Sequence, residues 1–195
     1  MTAITLNLRP TLTLTDEQFE QICRANRDLK LERTAQGELV VMALTGGDTG
    51  RRNLRLTGQL WLWNQQSGLG EGFDSSTGFR LPNGAIRSPD AAWVRLDRWQ
   101  ALTPEQRKKF VPLCPDFLVE LRSLSDELED IQAKMQEYLA NGLLLGWLID
   151  PQMQNVEVYR PNQAVETLNQ PTTLSGESIL PGFVLDLTGI LSMDN

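Results

Sequence analysis

The sequence predicts an α/β (α+β) domain in which a central mixed β-sheet is flanked by helices, and three observations predict it. Two segments repeat apolar residues at helical spacing, Leu56-Leu60-Trp63 and Leu128-Ile131-Met135-Tyr138-Leu139. Two others, Phe117 to Leu121 and Leu143 to Ile149, are short, almost wholly apolar runs of strand length. Turn signals separate such runs, of which Pro82-Asn83-Gly84 is the clearest. At 195 residues, 41% of them hydrophobic, the chain is long enough for one well-buried core and short for two, so residues 1–195 read as a single domain.

Thr15 and Gln18 form a capping box that opens a helix over roughly Asp16 to Asn26, with Phe19, Ile22 and Cys23 on its inner face. Leu29 to Arg33 and Glu38 to Met42 flank Gln36-Gly37 as a hairpin, so the chain is expected to start helix, strand, strand. Thr45 to Gly50 reads as a flexible loop leading into a helix from about Arg51 to Gln66; its glycines lack the lysine and spacing of a nucleotide-binding loop. Thr77 to Leu81 and Ala85 to Val94 read as two strands joined by the Asn-Gly turn, with Asp90 within or at a bend of the second. Thr103-Pro104-Glu105 opens a short helix.

Ser125 reads as the cap of a helix over roughly Asp126 to Asn141, whose early acids suit the helix dipole and which Asn141-Gly142 ends. Leu143 to Ile149 follows as a buried strand, Asp150-Pro151 breaks it, and Val156 to Tyr159 alternates as a half-exposed partner. Beyond Pro161, Leu174, Ile179, Leu180, Phe183, Val184 and Leu185 provide enough apolar surface to pack on the body.

The chain has no histidine. That excludes a Ser-His-Asp hydrolase, a Cys-His protease, a histidine-ligated zinc hydrolase and any histidine general base. Cys23 and Cys114 lack metal-type spacing and read as free thiols. The longest apolar stretch is far short of the ~20 residues of a membrane helix. Met1 to Thr5 lacks a secretory pattern. A soluble, cytoplasmic protein without membrane contact is the expectation.

A net charge of -7 argues against strong non-specific binding to nucleic acid. The charge is uneven, however: residues 1–110 hold 15 basic against 12 acidic side chains, and residues 111–195 hold 3 against 13. A polyanion would therefore meet the first half, through Arg51, Arg52, Arg55, Arg80 or Arg87, although a solvated surface arginine is the commoner role for each.

The chemistry-bearing residues stand at the edges of hydrophobic runs: Asp90 in Ser88-Pro89-Asp90-Ala91-Ala92-Trp93-Val94, Glu120 in Phe117-Leu118-Val119-Glu120-Leu121, and Lys134 on the following helix. Two carboxylates on neighbouring strands with a lysine nearby suit metal-assisted phosphodiester cleavage. Mg2+ (or Mn2+) fits such a set because it takes few protein oxygens and keeps its waters. Asp90 and Glu120 would be ligands, with the Leu121 carbonyl as a third oxygen. Lys134 would orient the attacking water or stabilise transition-state charge. Its plainer role is an Asp130–Lys134 surface pair worth ~0.3–0.5 kcal/mol, so its removal is expected to leave folding almost unchanged. Glu120 is the hardest to explain plainly, because charges are rarely placed in buried strands unless paired or metal-bound.

Ser88-Pro89-Asp90, Val119-Glu120-Leu121, Lys134-Met135-Gln136-Glu137-Tyr138 and Gly146-Trp147-Leu148-Ile149-Asp150-Pro151 together resemble the Uma2 family of the PD-(D/E)xK nuclease superfamily, over Leu14 to about Pro161. The resemblance implies a restriction-endonuclease-like core with Asp90 and Glu120 as metal-binding acids. In the superfamily pattern a lysine follows the acid by two residues, where this chain has Arg122; in the Uma2-like pattern it has moved to the helix and matches Lys134. Arg122, Lys134 or both could therefore serve the site.

Glu32 matches an early acid of the pattern, its alternative being a hairpin carboxylate paired with Arg33 or Lys30. Arg51 and Arg52, where many relatives carry a histidine, join Arg122 and Tyr138 as candidate substrate contacts. The resulting expectation is a metal-dependent DNA endonuclease acting as a homodimer, with Ile190, Leu191 and Met193 in the tail as exposed contacts. The alternatives are a catalytically inactive nuclease-fold protein serving as a DNA-binding or protein-interaction module, and a metal-dependent hydrolase of a small phosphoester.

Overall fold

The computed structural model describes residues 3–42 and 44–191. The chain runs β1 (Ile4–Leu6), α1 (Asp16–Ala25), β2 (Lys30–Arg33), β3 (Leu39–Met42), α2 (Gly47–Ser67) and β4 (Gly70–Asp74). It continues through β5 (Phe79–Arg80), β6 (Ile86–Arg87), β7 (Ala91–Arg95), α3 (Leu96–Gln100), α4 (Pro104–Arg107) and β8 (Phe117–Leu121). It ends with α5 (Leu128–Ala140), β9 (Leu145–Asp150), β10 (Asn155–Tyr159), β11 (Glu166–Asn169), β12 (Thr173–Ser175) and β13 (Val184–Asp186).

Among the described residues the strands form three sheets: a six-stranded one ordered β11-β10-β9-β8-β7-β4, a five-stranded one ordered β1-β3-β2-β6-β5, and the pair β12-β13. The six-stranded sheet is mixed. Its β8–β9 pair is parallel, with α5 as the crossover, and its other pairs are antiparallel. Alternation along β8 divides the core. Phe117, Val119 and Leu121 pack with Leu56 and Leu60 of α2 and with the C-terminal segment, whereas Leu118 packs with Met135 and Tyr138 of α5. Glu120 therefore falls on the α5 face.

The predicted fold class holds, and several boundaries differ for physical reasons. The expected strand Ala85 to Val94 is two strands, β6 and β7, in different sheets. Pro89 has no N–H for a ladder. The Ser88 N–H donates to Glu32 Oε1 at 2.8 Å, and its hydroxyl donates to the Ser75 carbonyl at 2.6 Å. The chain thus crosses between sheets over Ser88-Pro89-Asp90. Helix α2 starts a turn earlier than expected, at Gly47, so the expected loop Thr45 to Gly50 is partly its first turn. Ser125 does not cap α5. The cap residue is Glu127, and Asp126 instead closes a turn by accepting from the Ser123 N–H at 2.8 Å.

Helix α1 has the predicted Thr15/Gln18 capping box, and a second box joins Thr103 to Gln106 at α4. Strand β1 precedes α1, so the chain does not start with a helix. Strand β4 and helix α3 were not predicted; Gly-Glu-Gly-Phe-Asp has little β-propensity, and its pairing with β7 decides its conformation.

The tail packs as expected, but Ile190 and Leu191 are buried at 0% and 4% exposure and cannot be exposed contacts. Met193 lies outside the described residues. Both cysteines are free thiols, and no helix among the described residues is long and apolar enough to cross a membrane.

Gly70 is where the edge strand presses closest on its neighbour: a Cβ there would stand 2.3 Å from the Val94 carbonyl oxygen and 2.5 Å from the Trp93 ring. Gly72, two residues on, has nothing within 4 Å of that position. Gly70→Ala should cost about 1–3 kcal/mol through overpacking. Gly72→Ala should stay within about 0.5 kcal/mol of the parent. Urea midpoints of the two variants check the contrast.

Candidate functional site

The crossing segment carries Asp90 to the start of β7, where Ala91 pairs with Val119 of β8. Continuing that antiparallel register by one residue sets Asp90 against Glu120, on the α5 face of the sheet. Like charges at such positions repel, so something must offset them. Lys134 of α5 reaches over the sheet and bridges two carboxylates, with Nζ 2.8 Å from Glu120 Oε1 and 3.0 Å from Glu32 Oε1. The Tyr138 hydroxyl, one turn further along α5, donates to the same Glu120 oxygen at 3.0 Å.

Glu32, on β2, is buried, and it also accepts from Arg87 at 3.3 Å. Arg87 in turn donates through Nε to Glu137 at 2.6 Å. Five-stranded sheet, six-stranded sheet and α5 thus meet in one chain of ion pairs. Neither plain sequence reading holds: Glu32 pairs across the fold rather than with Arg33 or Lys30, and Lys134 faces inward rather than pairing with Asp130.

Asp90 is held differently. Its Oδ2 accepts from the Leu121 amide at 2.8 Å and its Oδ1 from Asn53 Nδ2 of α2 at 3.4 Å. These are neutral donors, and they leave the charge of Asp90 in place. The Leu121 contact is made by its amide.

The electrostatics follow from burial. Glu120 is pushed up to about 7, first by burial and then by the fields of Asp90 and Glu32, against the pull of Lys134. Burial also raises Asp90 above the ordinary carboxylate range. Glu32 goes the other way, because Lys134 and Arg87 outweigh its burial. Burial alone would lower the Lys134 ammonium, yet Glu120 and Glu32 hold it above the ordinary lysine range. Lys134 is therefore a fixed cation at neutral pH.

These residues line a cleft of about 610 Å3, whose walls also include Lys30, Val40, Leu44, Thr49, Leu124 and Ile131. Its acids, among them Glu38, Asp126, Glu127 and Asp130, outnumber its bases Lys30, Arg87 and Lys134. Among the described residues no group of three or more His, Cys, Asp or Glu is gathered to hold a metal ion. A cation here would rest on two carboxylates, backbone oxygen and water. Asp90 and Glu120 fit that description: both are hard oxygen donors whose charge the protein leaves partly uncompensated.

The other candidates sort by position. Arg122 forms an ion pair with Asp150 at 2.8 Å and donates to the Asp126 carbonyl, fastening the end of β8 to β9 and the loop before α5. Lys134, not Arg122, is the cation brought to Glu120. Tyr138 is fully buried, so it holds Glu120 and presents no surface to a substrate. Arg51 and Arg52 lie on α2 beside Asn53. Arg80 is tied to Asp16 at 2.6 Å.

Sequence reasoning missed Asn53 and Glu137. Asn53 was open to detection, since it stands in phase with the buried α2 positions Leu56, Leu60 and Asn64.

The Uma2 family model, described as "Putative restriction endonuclease", matches residues 16–188. Among solved structures the fold resembles a crystal structure from Anabaena variabilis titled as a putative nuclease belonging to DUF820. The TM-score is 0.69 at 19% identity, covering 83% of this chain and 89% of that one. No curated protein matches.

Two outcomes follow from the burial of these charges. Lys134→Ala should not be neutral, as a surface pair would be; leaving two buried carboxylates without their cation should cost about 3–5 kcal/mol, read by urea unfolding. The raised Glu120 pKa means that between pH 4.5 and about 7 the folded state keeps a proton that the unfolded chain has lost. Stability of the metal-free protein should therefore fall as pH rises from 5.5 to 8, with no histidine to mask it. Glu120→Gln should flatten that slope and raise the melting temperature at pH 8. A parent slope of opposite sign would contradict the assignment.

Proposed function

The chain belongs to the Uma2 family, and from that premise we propose that it is a metal-dependent DNA endonuclease whose site is Asp90, Glu120 and Lys134. One observation supports this most: Lys134 Nζ sits 2.8 Å from Glu120 and 3.0 Å from Glu32, in a cleft that also holds Asp90. Burying such a cluster is costly for a fold that could use apolar side chains there. Retaining it points to chemistry.

Mg2+ or Mn2+ held by Asp90, Glu120 and the Leu121 carbonyl would supply a polarised phosphodiester and a water of lowered pKa. Leu121 N–H and Asn53 fix the Asp90 carboxylate, while Tyr138 and Lys134 fix Glu120. Lys134 keeps its proton, so its role is to donate a hydrogen bond to charge developing on the phosphoryl oxygens, not to deprotonate water. In that hydrolysis water would form the new P–O bond as one ester P–O bond breaks, with a proton of the water ending on the departing ester oxygen. Glu32, itself bound by Arg87, holds the lysine in place from the other sheet.

A homodimer belongs to the same proposal, because cutting both strands of a duplex favours two related sites. Its contacts must lie elsewhere than Ile190 and Leu191.

The surplus of acids along the cleft favours a second reading, a nuclease-fold protein that binds without cutting, since those carboxylates repel a duplex. Incubation with supercoiled plasmid and Mg2+ separates the two. The endonuclease reading expects nicked and linear products that disappear with EDTA and with Asp90→Asn, the folding of that variant being checked by its melting curve. Binding without cleavage by the parent, in Mg2+ and in Mn2+, would favour the second reading.

A further inference from the structure

We propose that Asn53 is a positioning residue for the cation invoked above, its Oδ1 accepting a hydrogen bond from a water that the cation carries into the site. The inference rests on the metal-dependent reading of Asp90 and Glu120.

Asn53 lies on the inner flank of α2, with its Nδ2 turned to Asp90 Oδ1 at 3.4 Å. A carboxylate accepts only, so it dictates that the amide nitrogen faces it and the amide oxygen points away. That oxygen is shut off from solvent and has no hydrogen-bond partner among the described residues. Buried polar atoms are nearly always partnered, and one left unpaired costs stability. The backbone there is pinned as well, since the Thr57 hydroxyl donates to the Asn53 carbonyl at 2.7 Å.

A purely structural asparagine would be expected to use both ends of its amide, as Asn64 does in part by accepting from Trp93 Nε1 at 2.8 Å. Asn53 uses one end, weakly, against a candidate metal ligand. What the oxygen lacks is a donor, and none reaches it among the described residues. A hydrated divalent cation on Asp90 brings donors of the right kind, because its bound waters are polarised and point their protons outward. Groups of this sort, which orient a ligand and hold its water, commonly govern metal affinity.

The test is Mn2+ binding to the full chain by titration calorimetry, with melting curves in EDTA alongside. Asn53→Leu keeps the approximate shape and removes both polar ends. It should weaken Mn2+ binding about 10-fold or more, while the melting temperature in EDTA stays level or rises because an unpaired oxygen is gone. Asn53→Asp restores an acceptor and should recover the affinity; Asn53→Ala should behave as the leucine variant does and stands in for it if that protein does not fold. An Asn53→Leu protein that binds Mn2+ as tightly as the parent overturns the proposal. So does one that loses stability in EDTA with its affinity intact. A parent that binds no Mn2+ overturns the metal-dependent reading, and this inference with it.

Discussion

Glu120 is a charge in the middle of a buried strand, and the rest of the site is arranged around offsetting it. Every residue of β8 is buried, so the carboxylate is largely withdrawn from bulk water. A buried charge without partners is among the costliest things a fold can hold. Lys134 and Tyr138 meet it from α5, but Lys134 is shared with Glu32, and Asp90 stands close on the same face. The compensation is partial, which is why the carboxyl rises to about 7. A fold selected for stability alone would have placed an apolar residue at 120.

The same constraint explains how the sheets are joined. Ser88-Pro89-Asp90 ends a strand in one sheet and begins a strand in the other, and both ends of that crossing are tied to acids or are acids themselves. Ser88 gives its amide to Glu32, and Asp90 takes the amide of Leu121. Proline makes the break by withholding a ladder donor. Glu32 on one sheet and Glu120 on the other are then close enough for one ammonium to bind both. The geometry of the cleft is fixed by ion pairs and backbone donors.

Much of this was legible in the sequence, and the illegible parts share a cause. Phe117 to Leu121 reads as a strand because its apolar run is short and bounded, and Thr15/Gln18 reads as a helix start because a capping box is a local device. Asp90, Glu120 and Lys134 stood out as charges set against hydrophobic patterns. Contacts between distant segments could not be read: Arg87 with Glu137, Glu32 with Lys134, and Arg122 with Asp150 depend on which strands become neighbours. Strand β4 was hidden for the same reason, since its first glycine, Gly70, accommodates Trp93 and Val94. The resemblance to Uma2 supplied what spacing could not, namely that a lysine fourteen residues after the acid belongs with it.

An acidic cleft and a polyanionic substrate are reconciled only if positive charge is added before or with the substrate. Asp90 and Glu120 are buried acids whose charge the protein compensates only in part, and both line the same cleft. The most direct test is a crystal of the protein soaked in Mn2+, with anomalous scattering recorded at the manganese edge. The account predicts a peak between the Asp90 and Glu120 carboxylates, with Lys134 still bound to Glu32. A soaked crystal with no peak there, or with Lys134 Nζ occupying the space between the two acids, would contradict it.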